Sequence, residues 1–116
     1  MLTQFSHVML YVHDVNRAAK WYVDTFGFKI RFVAGPHYGI LDHAGMKFRL
    51  DLHPAKSTDD VGHGPQAYFV SDNLDAEVQA LRAKGASVED PRSESGSPRF
   101  CNFNDSEGNV MGLCEM

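Results

Sequence analysis

The sequence predicts an α+β fold in which two βαβββ modules form an open, barrel-like, eight-stranded mixed sheet with a concave ligand cleft. Three observations carry that expectation. A strand, a helix and three further strands can be read twice along the chain. Apolar positions of the first reading return 59 residues later, pairing Val8 with Ala67, Leu10 with Phe69, Val15 with Leu74 and Ala19 with Val78. The stop signals return as well, Gly27 against Gly85, at a spacing of 58. Agreement at the level of strand, helix and stop is stronger than any single match.

The first strand is expected over residues 7–12, with Val8, Leu10 and Val12 on one face and His7, Met9 and Tyr11 on the other. Asp14 or Asn16 is placed to cap a helix, whose apolar stripe is Val15, Ala18, Ala19, Tyr22 and Phe26. Gly27 is suited to end it in a left-handed conformation. Three strands follow: Phe28 to Ala34, Tyr38 to His43, and Lys47 to His53, separated by Gly35-Pro36 and Ala44-Gly45 turns. The last alternates Phe48, Leu50 and Leu52 against Lys47, Arg49, Asp51 and His53. Residues 54–65 lack periodicity and read as a linker.

The pattern then restarts. Residues 66–71 form a strand, Asp72 and Asn73 offer a cap, and Leu74, Val78 and Leu81 mark a second helix closed by Gly85. Val88 belongs to a short strand, and Pro91 to Pro98 has the composition of a mobile loop. Arg99 to Asn104 and Val110 to Glu115 make a hairpin around the turn Asp105-Ser106-Glu107-Gly108-Asn109. The expected organisation is one domain over 1–116, with module 1 at about 5–53 and module 2 at about 66–116.

Composition narrows the function classes. The 116 residues are 43% hydrophobic and 22% charged, ordinary for a globular chain, with a net charge of −4. Basic residues are scattered, which argues against a nucleic-acid surface. No apolar run approaches the ~20 residues of a membrane helix, and MLTQFSHVML shows no export signal, so a cytoplasmic location is expected. Cys101 and Cys114 lack a zinc-ligand spacing and read as small thiols in a reducing compartment. Phosphate-loop, serine-elbow and His-Glu-x-x-His motifs are absent.

A unit this short covers one sheet face with its helix and leaves the other open. That open face carries His7, Met9, Tyr11, Arg49, Asp51 and His53, and two such units side by side enclose a hollow suited to a small molecule. Tyr11, Tyr68 and Met9 supply an aromatic and apolar lining. Arg49 and Asp51, two apart, point the same way, either reading a polar ligand or forming a solvated ion pair. Trp21 and Tyr22 read as core or dimer contacts.

His7 through Phe28 (HVMLYVHDVNRAAKWYVDTFGF) and Asp105 through Glu115 (DSEGNVMGLCE) resemble the opening and closing stretches of the vicinal oxygen chelate superfamily. That group includes glyoxalases, extradiol dioxygenases, and bleomycin- and fosfomycin-resistance proteins. Ser106 stands where the family's Asp-Pro-Asp-Gly-Asn turn has proline. The resemblance implies that the first and fourth strand of each module place a residue at the family's metal centre: His7, about Asp51, Gln66 and about Gly112. His7 suits a metal, Asp51 is one methylene shorter than the family's Glu, Gln66 is a weak neutral ligand, and Gly112 has no side chain. No cofactor is therefore expected, and the gap at Gly112 leaves room for a ligand. Ligand-binding candidates are His7, Met9, Tyr11, Arg49, Asp51, Gln66, Tyr68 and Gly112.

The resemblance implies three functions. The first is a homodimeric binding protein that sequesters a small amphipathic compound unchanged. The second is a metal-dependent glyoxalase-like lyase or extradiol-type dioxygenase in which His7, Asp51 and Gln66 hold the ion. The third is a scaffold with a vestigial cleft.

Overall fold

The computed structural model describes every residue except Leu2, Ser95 and Met116. Module 1 comprises β1 (Val8–Val12), α1 (Val15–Phe26), β2 (Phe28–Val33), β3 (Gly39–His43) and β4 (Arg49–Pro54). A 3-10 turn at Thr58–Asp60 lies in the connection. Module 2 comprises β5 (Tyr68–Val70), α2 (Leu74–Ala83), β6 (Ser87–Val88), β7 (Phe100–Asn104) and β8 (Val110–Cys114). Each module builds one four-stranded mixed sheet, ordered β1-β4-β3-β2 and β5-β8-β7-β6. The first and last strands of each module pair in parallel, and the remaining neighbours are antiparallel. The two sheets form an open arrangement, not a closed barrel.

The helices start and stop where the sequence places the signals. Asp14 Oδ1 accepts the Arg17 N–H at 3.0 Å, and Asn73 Oδ1 accepts the Ala76 N–H at 3.1 Å. Gly27 closes α1 at φ 73°, donating to the carbonyls of Tyr22 and Val23, and Gly85 follows α2 at φ 89°. Both are left-handed positions that a Cβ strains.

Strand limits differ from the sequence reading by two residues at two starts, and by one residue at several other ends. β5 begins at Tyr68, not residue 66, because Pro65 has no N–H with which to start a ladder. Ala67 nevertheless accepts the Gly112 N–H at 2.9 Å. β4 begins at Arg49, because the preceding residues are held in a turn, with the Met46 and Gly45 N–H groups directed at the His43 carbonyl and ring. Of the expected 91–98 loop, Ser95 lies outside the described residues. Arg92 within it pairs with Phe100 and sets its guanidinium 4.8 Å over that ring's centroid.

Side-chain alternation decides which face of each sheet is covered. Val12, Leu41, Leu50 and Leu52 face α1, and Cys101, Phe103, Met111 and Leu113 form the same layer in module 2. The helical stripes Val15, Ala18, Ala19, Tyr22 and Leu74, Val78, Leu81 complete one continuous core. Burial of each large apolar side chain stabilises by about 1.5–3 kcal/mol before conformational entropy is subtracted. The modules share that core: Trp21 stacks on Phe103 with centroids 6.4 Å apart, and Phe26 meets Phe69 at 6.1 Å. Trp21 and Tyr22 are thus core residues. Among the described residues, no helix is long and apolar enough to cross a membrane.

Candidate ligand-binding site

The faces left uncovered by the helices carry the alternate residues of every strand. Parallel register places Met9 beside Asp51 in module 1 and Tyr68 beside Gly112 in module 2. These positions correspond between modules, so the repeat seen in the sequence sets equivalent side chains on equivalent faces.

Where β1 meets the start of module 2, a depression of about 710 Å³ opens. Phe5, Met9, Tyr11 and Val110 give it an apolar lining, and Gln66 and Asn102 bring amides into it. Gln66 Nε2 and the Tyr68 hydroxyl both donate to Asn102 Oδ1, each at 3.2 Å. That leaves the Asn102 amide nitrogen to address an occupant. The volume suits a drug-sized molecule.

A second arrangement occupies the open face of module 1. The Asp51 side chain is fully buried and takes a bidentate pair from Arg49, Nε to Oδ1 and Nη2 to Oδ2, both at 2.7 Å. The Tyr38 hydroxyl donates to Oδ2 at 2.5 Å, and His7 Nε2 lies 3.5 Å from the same oxygen. Burial alone pushes the Asp51 carboxyl up, but hydrogen bonds from Arg49 and Tyr38 together with the nearby His7 hold it below the ordinary carboxylate value. The same contact to Asp51 raises Tyr38. His53, the other inward histidine, packs edge-on against Tyr38 at 4.7 Å.

The sequence-stated candidates therefore fall into three places. Met9, Tyr11 and Gln66 share the depression. His7, Arg49 and Asp51 form the charged network and do not line it. Tyr68 and Gly112 pack on each other: a Cβ at Gly112 would run into the Tyr68 ring. The room expected at Gly112 is thus filled by the chain's own tyrosine. Sequence reasoning missed Phe5, Val110 and Asn102 in the lining and Tyr38 in the network. Strand alternation contained a signal for three of these: Val110 is two before Gly112, Asn102 sits mid-strand, and Tyr38 shares its parity with Asp42.

Two of the four positions that the resemblance assigns to a metal centre, Asp51 and Gly112, are committed to other contacts. Both Asp51 oxygens are already engaged by a guanidinium and Gly112 is covered by Tyr68, while Gln66 donates through Nε2 to Asn102. Among the described residues, no three His, Cys, Asp or Glu side chains converge as a metal site.

Comparison with known proteins agrees with this architecture. A "Glyoxylase-like domain-containing protein" from Didymella fabae is 30% identical, over 96% of this chain and 92% of its own. The crystal structure of TnmS3, an antibiotic binding protein from Streptomyces sp. CB03234, superposes with a TM-score of 0.77 at 27% identity, covering 98% of each chain. The fosfomycin resistance protein FosX from Listeria monocytogenes shares the fold alone, with a TM-score of 0.80 at 17% identity over 100% of this chain and 95% of that one. The model of the Glyoxalase/Bleomycin resistance protein/Dioxygenase superfamily matches residues 4–113, nearly the whole chain, and that is the family to which the protein belongs.

Proposed function

We propose that this protein binds a small amphipathic molecule in the concave depression, without a catalytic metal, and leaves it chemically unchanged. The observation that carries this reading is a largely apolar hollow into which the Gln66 and Asn102 amides converge, beside family metal positions of which Asp51 is paired with Arg49 and Gly112 is covered by Tyr68. Apolar walls provide affinity and a few fixed polar groups provide orientation. The 27% identical antibiotic binding protein supports the same reading.

A homodimer is the form that fits it. Phe32, Tyr68 and Val70 stand on the open faces of their sheets and are roughly half exposed. A second copy laid over those faces removes them from water and covers the depression. Cys101 and Cys114 are free thiols, in keeping with a cytoplasmic setting.

Thermal-shift screening against amphipathic compounds, with and without chelator, tests the function. The expected result is a stabilising hit that chelator does not alter and that Met9→Glu removes. Stoichiometric zinc, nickel, manganese or iron, lost in His7→Ala, would replace this reading with that of a metal-dependent lyase or dioxygenase. Light scattering that returns a monomer would remove the dimer.

A further inference from the structure

We infer that the molecule held in the depression carries an anionic group, a carboxylate, sulfonate or phosphate, received by Arg31, Lys47 and Arg49. This rests on the reading that the depression binds a small molecule. A second hollow of about 420 Å³ contains those three cations together with Ser6 and Asp42, and Phe5 borders both hollows. An occupant with its apolar body beside Met9 and Tyr11 therefore reaches the cationic end by passing one ring.

The cations are set by the sheet. Antiparallel register between β2 and β3 jumps from Ile30 opposite Leu41 to Phe32 opposite Ile40, leaving Arg31 as an extra, bulged residue. Bulges re-aim side chains. This one sends Arg31 onto Asp42, with Nε and Nη2 at 2.7 and 2.6 Å from the two carboxylate oxygens. Asp42 stands directly opposite Arg49, which in turn grips Asp51. The result is an alternating row, Arg31, Asp42, Arg49, Asp51, running across three strands.

The charges in this row are not equally available to a ligand. Asp51 is buried beneath Arg49 and offsets that guanidinium's charge at 2.7 Å, so Arg49 offers a ligand a donor and not a free charge. Each guanidinium uses Nε and Nη2 on its carboxylate and keeps Nη1 for another acceptor. Lys47 pairs with no carboxylate among the described residues. The His43 ring is turned to the chain's own backbone, with Nδ1 taking the Gly45 N–H and Nε2 at 2.8 Å from the Phe26 carbonyl. The three cations are thus set against two carboxylates, Asp42 and the buried Asp51, which leaves Lys47 as the charge in excess on a chain whose net charge is −4. Exposed ion pairs stabilise a fold little, so folding alone does not account for a bulge that aims a second arginine at this spot.

A matched pair of fluorescent probes tests the inference. Anilinonaphthalene sulfonate and N-phenyl-1-naphthylamine have the same rings, and only the first carries an anion. The native protein is expected to prefer the sulfonate by about tenfold, the worth of one charge-assisted hydrogen bond. Arg31→Gln and Lys47→Gln, both remote from buried Asp51, should each lower that preference, and together bring it to about unity. Circular dichroism melts establish that these variants fold. Equal affinity of both probes for the native protein, or a preference that survives the double change, overturns the anion inference and leaves the binding function standing. Binding of neither probe to the folded protein overturns both.

Discussion

The two modules meet at two junctions that correspond by the internal repeat, and the junctions are built differently. Each is made by the turn between the last two strands of one module, residues 44–48 in module 1 and 105–109 in module 2. In module 2 the turn grips the other half. The Glu107 side chain is fully buried, accepts the His13 and Asp14 N–H groups at 2.9 Å each, and takes Arg17 Nε at 2.7 Å and Nη2 at 2.9 Å. Asp105 accepts the Tyr22 hydroxyl at 2.8 Å, and Asn109 Nδ2 reaches the Tyr11 carbonyl at 3.1 Å. The position equivalent to Glu107 is Met46, and there the junction holds a hollow of about 610 Å³ bordered by Phe26, Phe69 and Glu77. One repeat topology therefore yields a tight polar clasp on one side and an open gap of mixed lining on the other. The clasp also supplies Asn109 to the depression, and Val110 follows directly on it, so the clasped junction is the one beside the site.

The largest expected effect comes from breaking the clasp. Glu107→Ala strands two backbone N–H groups and should cost about 3 kcal/mol, or roughly 10 °C in unfolding midpoint. Met46→Ala, at the gap, removes only half-buried apolar surface and should cost about 1 kcal/mol. Chemical denaturation of both variants measures the difference. Equal losses would mean that the two junctions are energetically alike despite their chemistry.

The clasp and the charged network also fix the response to acid. Burial pushes Glu107 up, but hydrogen bonds from Arg17, the Asp14 backbone and Ser106 bring it below its ordinary value of 4.5. Asp51 likewise lies below its ordinary value of 3.8. A carboxylate depressed in the folded state contributes its stability above the unfolded value and loses it as pH falls through the folded one. Unfolding midpoints should therefore hold steady above about pH 5 and drop below it. Asp51→Asn and Glu107→Gln should each make that drop shallower. An unchanged acid limb in both variants would assign acid unfolding to other groups.

The open faces of the modules diverge as far as the junctions do. Strand register matches Arg49 with Val110, Asp51 with Gly112, Met9 with Tyr68, and Ile40 with Asn102. Module 1 holds charges where module 2 holds a valine and a glycine, and apolar Met9 and Ile40 where module 2 holds an aromatic ring and an amide. Gly112→Ala places a methyl against the Tyr68 ring, and overpacking of this kind should cost about 2 kcal/mol. Tyr68→Ala in the same chain should return about 1 kcal/mol or more of that loss, a coupling that a double-mutant cycle reads directly. No coupling would mean that the ring swings clear.

These pairings show what the sequence could and could not disclose. The core faces were legible because covered positions repeat as apolar residues with period two or 3.6, and Leu50, Leu52, Val78 and Leu81 obey that rule whatever they touch. Met9, Tyr11 and Gln66 were legible as neighbours for the same reason, applied to the opposite parity. Contacts between strands were not. Nothing in the order of residues shows that Tyr38, just before β3, reaches Asp51 on β4, that Tyr68 fills the space above Gly112, or that a bulge turns Arg31 toward Asp42. Periodicity within one segment assigns a face; register between segments assigns a partner, and only the fold supplies it.

The smallest effect concerns a place where the modules agree. Asp14 and Asn73 cap their helices through the same bond, side-chain oxygen to the N–H three residues on, at 3.0 and 3.1 Å. Removing either cap by substitution with alanine should cost about 1 kcal/mol. The surroundings differ, however, since the Asp14 N–H is itself held by Glu107 while the Asn73 N–H meets only Ser71 Oγ at 3.2 Å. Alanine retains the backbone N–H, so the clasp can persist when the Asp14 side chain is gone. Matching losses would show that cap and clasp act independently at the start of α1. A loss at Asp14 well above that at Asn73 would show that the cap orients the N–H groups Glu107 needs, and a Glu107→Gln background should then erase the excess.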